Sequence, residues 1–168
     1  HKWLLFSRTA AENETGVINS LWIVDVTQSE PTPIDTTLRN VVHYADWVPG
    51  KVRTFTYSTV EPRSVAPGWQ ANNDLQMFTF DEEGKKINNK LIVDTNSGGQ
   101  YGWWGITYQW SLDGSKIAYS RPDSIGLVDL SEGGFKSIID FSPYQPKSDW
   151  AWVPSLSWSE DNQILFTE

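Results

Sequence analysis

The sequence predicts an all-β protein built from repeated four-stranded antiparallel sheets. Three observations support this class. Aromatic residues make up 14% of the 168 residues, and aromatic side chains favour the pleated, half-buried surfaces of sheets. No long window has apolar positions at helical spacing, whereas short alternating apolar and polar runs occur along the whole chain. One strand–turn–strand pattern also recurs several times, which is typical of repeat architectures.

Composition excludes several classes of function. With 21 acidic and 13 basic side chains the formal net charge is −8, so neither nucleic acid nor a membrane surface is expected as a partner. No apolar stretch approaches the roughly 20 residues of a membrane span, and no secretion signal opens the chain, so we expect either a cytosolic protein or one whose targeting segment has been removed. The chain has no cysteine, which excludes disulfides, thiolate zinc sites and a cysteine nucleophile.

The strand predictions rest on short apolar or alternating runs. The first two runs, WLLFSR and LWIVDV, scarcely alternate, which indicates burial on both faces. Later runs place bulky residues on one face and small or polar residues on the other. Residues that favour tight turns, such as Asp113-Gly114 and Asp161-Asn162, separate the runs because Gly and Asn tolerate the positive φ of a hairpin. The predicted strands are 3–8, 21–26, 41–47, 53–59, 75–80, 90–93, 105–110, 116–120, 126–130, 136–140, 154–158 and 164–167.

The repeated unit is a strand closed by tryptophan, a tight turn, and a strand that ends in an aromatic residue. It reads YQWSLDGSKIAYS, LSWSEDNQILFT and, more loosely, ADWVPGKVRTFTYS. Trp47, Trp110 and Trp158 thus occupy equivalent positions, and we expect them to pack between consecutive sheets. A second recurring element is an apolar strand followed by aspartate, at Asp25, Asp81 and Asp129.

These motifs resemble the TolB-like, WD-type β-propeller repeats, whose signature is Trp or Phe, Ser-Pro-Asp-Gly, two variable residues and Ile-Ala-Phe or Ile-Ala-Tyr. WSLDGSKIAY matches nearly throughout, with Leu112 where proline is usual; WSEDNQILF is one residue short and has Asn162 for glycine. The resemblance implies a partial β-propeller of three to four four-stranded blades that begins and ends mid-blade. Residues 1–168 would form one segment, with blade parts at about 1–40, 41–94, 101–141 and 150–168.

Such a segment leaves a strand edge and an apolar blade face open to water. We therefore expect a protein partner, another copy, or the remainder of the propeller to cover the open blade edge. The resemblance also suggests a bacterial protein in a secreted, periplasmic or cell-envelope setting.

The sequence offers little for catalysis. No metalloprotease, nucleophile-elbow or phosphate-loop motif is present, and the two histidines are His1 and His43. His43 is more simply a structural residue on a strand. Asp113 and Asp161 lie in turns, where aspartate commonly caps its own backbone. We therefore expect no enzymatic activity, no cofactor and no metal.

The best binding candidates are aromatic residues in loops that lead into the innermost strands of the blades. Their ring faces suit sugars, cations or apolar peptide side chains. The expected function is a noncatalytic binding or scaffold module that recognises a protein or a glycan. The candidate ligand-binding residues are Tyr101, Trp103, Trp104, Trp150, Trp152 and His43.

Two alternatives remain open at this point. Trp104 and Trp152 are in register with the repeat and would also suit packing between blades. The segment could instead be the accessory propeller of a hydrolase, such as a peptidase of the prolyl-oligopeptidase type, with its catalytic domain outside this chain. The insertion at 61–73, which carries Trp69, could be a lid, a partner contact or a loop with no functional role.

Overall fold

A computed structural model describes residues 2–13, 16–41, 44–94, 105–144 and 153–167. Within these ranges the protein consists of small antiparallel sheets, with no α-helix and one short 3-10 turn at Ser142–Tyr144. The predicted all-β class with antiparallel sheets is confirmed. No helix in the described ranges has the length and apolar character that crossing a membrane requires.

Sheet 1 has three strands in the order β1-β2-β3. A long hairpin joins β1 to β2, with one register shift between Thr9 and Ala11. Apolar residues of β2 are buried, including Leu21 and Ile23, because the sheet packs against its neighbour. The strands are β1 (Trp3–Asn13), β2 (Gly16–Asp25) and β3 (Ile34–Arg39).

Sheet 2 has four strands in the order β4-β5-β8-β9, and a short hairpin, β6–β7, is inserted between β5 and β8. Every residue of β5 is buried, which marks it as a central strand enclosed on both faces. The strands of sheet 2 are β4 (Tyr44–Trp47), β5 (Thr54–Ser58), β8 (Leu75–Phe80) and β9 (Lys86–Val93). The inserted hairpin consists of β6 (Val60–Pro62) and β7 (Trp69–Ala71).

Sheet 3 has the order β10-β11-β12-β13, and sheet 4 is the pair β14-β15. The two sheets begin alike, with a four-residue strand that ends in tryptophan and a hairpin into the next strand. The strands are β10 (Thr107–Trp110), β11 (Ile117–Arg121), β12 (Ser124–Val128), β13 (Phe135–Asp140), β14 (Ser155–Trp158) and β15 (Ile164–Thr167).

The three repeated tryptophans occupy equivalent positions, as the repeat predicts. Each is the last residue of the first strand of its sheet, and each pairs with a residue at the start of the next strand. The pairs are Trp47 with Phe55, Trp110 with Ile117 and Trp158 with Ile164.

Two hydrophobic clusters lie between consecutive sheets. Phe55, Phe78 and Phe80 of sheet 2 pack with Leu21 and Ile23 of sheet 1. On the other side of sheet 2, Leu75 and Val93 pack with a set of sheet 3 residues. That set is Ile106, Tyr108, Trp110, Ile117, Tyr119 and Val128. Sheet 2 therefore buries side chains on both of its faces.

Two indole groups donate hydrogen bonds across the sheet interfaces in the same direction. Trp110 Nε1 donates to Thr56 Oγ1 of sheet 2 at 2.8 Å, and Trp158 Nε1 donates to the carbonyl oxygen of Gln109 in sheet 3 at 3.0 Å. Trp47 lacks such a bond among the described contacts but packs on Phe80 at the sheet 1 interface. Each sheet thus presents its tryptophan to the sheet that precedes it in the chain.

Most predicted strands lie within a few residues of the observed ones, and 75–80 and 164–167 have the observed bounds. Three strands were not predicted: β3 and the two strands of the β6–β7 hairpin. β1 also extends to Asn13, beyond the predicted end at residue 8.

Candidate functional site

The residues predicted from the sequence to bind a ligand are not placed by the structure. All six lie outside the described residues, so their positions relative to one another are still predictions. They are Tyr101, Trp103, Trp104, Trp150, Trp152 and His43.

The recurring aspartates are turn residues, as the sequence predicts. Asp113 Oδ1 accepts hydrogen bonds from the Ser111 hydroxyl, the Ser115 hydroxyl and the Ser115 backbone N–H. Asp129 accepts equivalent bonds from Ser131. Because each carboxylate is engaged with its own turn, these groups stabilise their hairpins. The same local pattern occurs at Asp25, Asp81 and Asp161.

A buried carboxylate, Asp74, was a second possible reactive group. It accepts hydrogen bonds from the hydroxyls of Ser58 and Thr59, from the Thr59 backbone N–H and from the Gln76 amide. Its 7% exposure and full set of donors fit a structural role, in which it ties the end of β5 to the start of β8.

A groove lies between the start of β1 and the β4–β5 turn. Its volume is about 550 Å³. We call it the tryptophan–basic groove because two indoles and three cationic side chains line it. The lining residues are Lys2, Trp3, Trp47, Val48, Pro49, Gly50, Lys51, Val52 and Arg53.

The two tryptophans are fixed by the core beneath them. Trp3 meets Phe80 edge-on with ring centroids 5.1 Å apart, and Trp47 meets Phe55 edge-on at 5.8 Å. Edge-to-face contacts of this kind hold aromatic rings in defined orientations. The buried Nε1 of Trp3 has no hydrogen-bond partner among the described residues. The groove therefore has a rigid aromatic wall.

Two of the three cationic side chains, Lys2 and Arg53, lie next to acidic side chains. Lys2 Nζ lies 3.3 Å from Asp25 Oδ2 and 5.4 Å from the centroid of the Trp3 ring. Arg53 Nη1 lies 3.5 Å from Glu82 Oε1. The Thr27 hydroxyl, with smaller contributions that include Lys2, holds the pKa of Asp25 below its ordinary value.

The β4–β5 turn shapes the open side of the groove. The turn is closed by a hydrogen bond from Lys51 N to Val48 O at 3.1 Å, with Gly50 in the left-handed region at φ 74°. Val52 is 72% exposed, which places an apolar side chain in water beside the two indoles. Such an exposed apolar side chain beside an aromatic wall is typical of a contact surface.

The described side chains that line the groove include hydrogen-bond donors but no acceptors. Lysine, arginine and tryptophan are hydrogen-bond donors only, and the remaining lining residues are valine, proline and glycine. The groove therefore matches a ligand that offers acceptors, negative charge and apolar surface. Among the described residues, no carboxylate or imidazole lines this groove.

Sequence reasoning missed this groove. Trp47 was predicted to pack between sheets and Trp3 only to begin the first strand, and their distance along the chain gave no sign that they are close in space. The signal that could have found it is the cluster of Lys51 and Arg53 in the turn after Trp47, in a chain that is otherwise acidic.

Within the described ranges, no group of three or more histidine, aspartate and glutamate side chains is placed to hold a metal ion.

No protein-family model matches the chain, and the search of curated proteins also found no match.

Proposed function

We propose that this chain is a segment of a β-propeller that acts as a noncatalytic binding module for a protein partner. The observation that carries the proposal is the tryptophan–basic groove, where two indoles and three cations meet on a chain of net charge −8. A local cationic, aromatic surface on an acidic protein favours an acidic partner with apolar side chains.

The propeller part of the proposal is supported by the repetition between sheets. Three sheets begin with a strand closed by tryptophan, and the cross-sheet indole bonds of Trp110 and Trp158 run in the same direction. Radial stacking of similar antiparallel sheets through equivalent contacts is the arrangement that a propeller requires.

A protein partner is favoured over a glycan because of the donor-only lining. Sugar hydroxyls both donate and accept hydrogen bonds, so glycan sites normally include amide or carboxylate side chains. The described side chains that line the groove include none of these. An acidic peptide, in contrast, supplies the acceptors and the charge that Lys2, Lys51 and Arg53 match.

The test is selection of binders from a random displayed peptide library, followed by titration of synthetic versions. We expect selected peptides to combine acidic and aromatic residues. Lys51→Glu should weaken their binding by about tenfold, since it reverses one charge at the rim. Lys90→Glu is the matched control, because Lys90 is an exposed lysine of β9 that does not line the groove.

A glycan array probed in parallel completes the test. Glycans that bind wild type and lose affinity in Lys51→Glu would replace the protein partner with a sugar ligand at the same groove. Peptides whose affinity falls equally in Lys51→Glu and Lys90→Glu would place recognition elsewhere and refute the proposal.

A further inference from the structure

The inserted β6–β7 hairpin projects from the end of sheet 2 that lies opposite to the tryptophan–basic groove. In the antiparallel order β4-β5-β8-β9, the β4–β5 turn lies at one end of the sheet and the connection from β5 to β8 lies at the other. The groove is formed at the first end and the hairpin at the second. A ligand held at the tip of the hairpin therefore binds away from the groove.

The base of the hairpin is fixed to the body of the protein. Val60 and Ala71, which pair across the two strands, are both buried. Val60 N donates a hydrogen bond to the carbonyl oxygen of Asn40, which follows β3 of sheet 1, at 2.8 Å. Asn72 N donates to the carbonyl oxygen of Thr59 at 3.0 Å. The two short strands are therefore a rigid support for the residues at the tip.

The tip of the hairpin forms a shallow pocket of about 100 Å³ beside a partly exposed indole. Arg63 N donates to the Gly68 carbonyl oxygen at 2.9 Å, and Gly68 N donates to the Val65 carbonyl oxygen at 2.8 Å, which closes the tip. The volume is well below the roughly 300–1,000 Å³ of a pocket that encloses a whole small-molecule ligand, so this pocket suits one unit of a larger ligand. The lining residues are Arg63, Val65, Ala66, Trp69 and Gln70.

Hydrogen-bond donors and acceptors meet at this tip. Glu61 and Gln70 lie opposite each other on the two strands. Arg63 Nη2 donates hydrogen bonds to Glu61 Oε2, at 3.1 Å, and to Gln70 Oε1. Glu61 Oε1 and Gln70 Nε2 form no hydrogen bond with another described residue. The tip therefore offers one acceptor and one donor in addition to the bonds that it makes internally.

This combination of side chains matches a sugar ring. The apolar C–H face of a pyranose can pack on an indole, and its hydroxyl groups both donate and accept hydrogen bonds. Arginine donates, glutamate accepts, and the glutamine amide does both. Because Arg63 and Glu61 form an ion pair, the tip favours a neutral sugar over an acidic one, which the net charge of −8 would repel.

We propose that the tip of the β6–β7 hairpin binds one neutral hexose unit of a glycan. Trp69 supplies the stacking surface, and the side chains of Glu61, Arg63 and Gln70 bind the sugar hydroxyls. A site for a single sugar unit is weak, so stable attachment requires a surface that carries many copies of the glycan. The inference is independent of the proposed function, because none of these four residues lines the tryptophan–basic groove.

The probes are a dense array of neutral and sialylated oligosaccharides and, in solution, free methyl hexosides observed by saturation-transfer NMR with the full chain. We expect neutral glycans to retain the protein and one methyl hexoside to receive saturation at its C–H protons. Trp69→Ala should weaken binding about tenfold or more, because the stacking surface is lost. Gln70→Ala, which changes a side chain on the hairpin surface, should weaken it about fivefold through the lost hydrogen bonds.

Two further variants separate stacking from folding. Trp69→Tyr keeps an aromatic ring at the tip and should restore most of the binding that Trp69→Ala loses. Trp22→Ala is the matched control and should leave binding unchanged. Trp22 is another partly exposed tryptophan beside an arginine, with Arg8 Cζ 5.2 Å from its ring centroid, and it does not line the pocket.

The outcomes distinguish this site from the groove. Neutral-glycan binding that falls in Trp69→Ala and Gln70→Ala but not in Lys51→Glu supports the hairpin site. Sugar binding lost in Lys51→Glu and kept in Trp69→Ala would place the sugar in the groove and overturn the inference, as would equal loss in Trp22→Ala or retention by sialylated glycans alone. If no glycan is retained and no hexoside receives saturation, the inference is refuted, whereas acidic peptides that bind in a Lys51-dependent manner would still support the proposed function.

Discussion

Gly105 shows how one residue couples two sheets. Its φ is +68°, and a Cβ atom there would lie 2.2 Å from Asn73 Oδ1 and 2.5 Å from Ala71 Cβ. Asn73 Oδ1 also accepts a hydrogen bond from Ile106 N at 3.0 Å. Only glycine leaves room for the asparagine at this junction of sheets 2 and 3.

We expect Gly105→Ala to destabilise the protein by about 2–3 kcal/mol, because a left-handed backbone and steric overlap act together. Urea denaturation measures the change. Gly68→Ala is the control. Gly68 has a φ of +95°, but an added Cβ atom would have no atom within 4 Å. The substitution should therefore destabilise the protein only through the unfavourable backbone conformation, by about 1 kcal/mol. Equal losses in the two variants would contradict the steric contact at Gly105.

Asp113 makes the stability of one turn depend on pH. The Ser111 hydroxyl, followed by the backbone and hydroxyl of Ser115, lowers the pKa of Asp113 from 3.8 to about 2. A carboxyl whose pKa is lower in the folded state stabilises that state above its unfolded pKa. This contribution should therefore be lost as the pH falls from about 4 to about 2.

The expected result is that Asp113→Asn lowers the thermal midpoint at pH 6 and that its difference from wild type shrinks at pH 2.5. Thermal scans by circular dichroism across this range provide the measurement. Asp94→Asn, an exposed carboxyl after β9, serves as the control. A difference that stays constant with pH would show that ionisation of Asp113 is not what stabilises the turn.

Turn residues were the part of the structure that sequence predicted best, since their conformation is local. Gly50, Gly84, Gly114 and Asn162 adopt the positive φ that the tight turns imply. The contact partners of a residue such as Trp3 could not be predicted in this way, because Phe80 lies in a different sheet.

At the scale of elements, the contact between sheets 2 and 3 includes one buried hydrogen bond donated by an indole. Trp110 is 4% exposed, and its Nε1 donates to Thr56 Oγ1, which also contacts the Tyr44 hydroxyl at 2.9 Å. The bond joins β10, the first strand of sheet 3, to β5, a central strand of sheet 2.

Trp110→Phe should destabilise the chain by about 2–4 kcal/mol, since it removes ring volume and a buried hydrogen bond. A double-mutant cycle with Thr56→Val isolates the bond and should give a coupling energy of about 1 kcal/mol. The matched control is a cycle of Tyr57→Phe with Trp110→Phe. The Tyr57 side chain lies on the face of β5 opposite to Thr56, and its hydroxyl donates a hydrogen bond to Gln76. Additive losses for Trp110 and Thr56 would show that the bond contributes nothing.

The missed strands have identifiable physical reasons. β3, with the sequence IDTTLR, is short and polar, follows two prolines, and includes Thr37 at φ 64°. The β6–β7 hairpin lies in a segment rich in proline and glycine, where turn signals mask two three-residue strands. In both cases backbone pairing with a neighbour outweighs weak local preference.

On the scale of the whole molecule, the sequence predicted the class and most strands because the repeats place apolar residues regularly. The periodicity of β8 and β11, both buried between sheets, is visible in the sequence alone. The groove was not predictable, because it joins residues 2–3 to residues 47–53. The sequence shows composition along the chain but not which distant turns meet.

The local distribution of charge, like the groove, could not be predicted from the sequence. A net charge of −8 describes the chain as a whole and predicts repulsion of nucleic acid. It does not show that Lys2, Lys51 and Arg53 come together on one surface. A secreted or envelope setting, expected from the repeat resemblance, is still a prediction.

The common orientation of Trp110 and Trp158 gives the molecule a direction. Sheets 3 and 4 each direct an indole toward the sheet that precedes them in the chain. The two faces of such a sheet therefore differ, and a sheet turned around would not fit its neighbours. A gene duplication that copied one whole repeat would produce a unit whose two faces already fit its new neighbours. Growth or loss of the protein by entire repeats is thus structurally permitted, whereas inverted or partial units would meet faces that do not match.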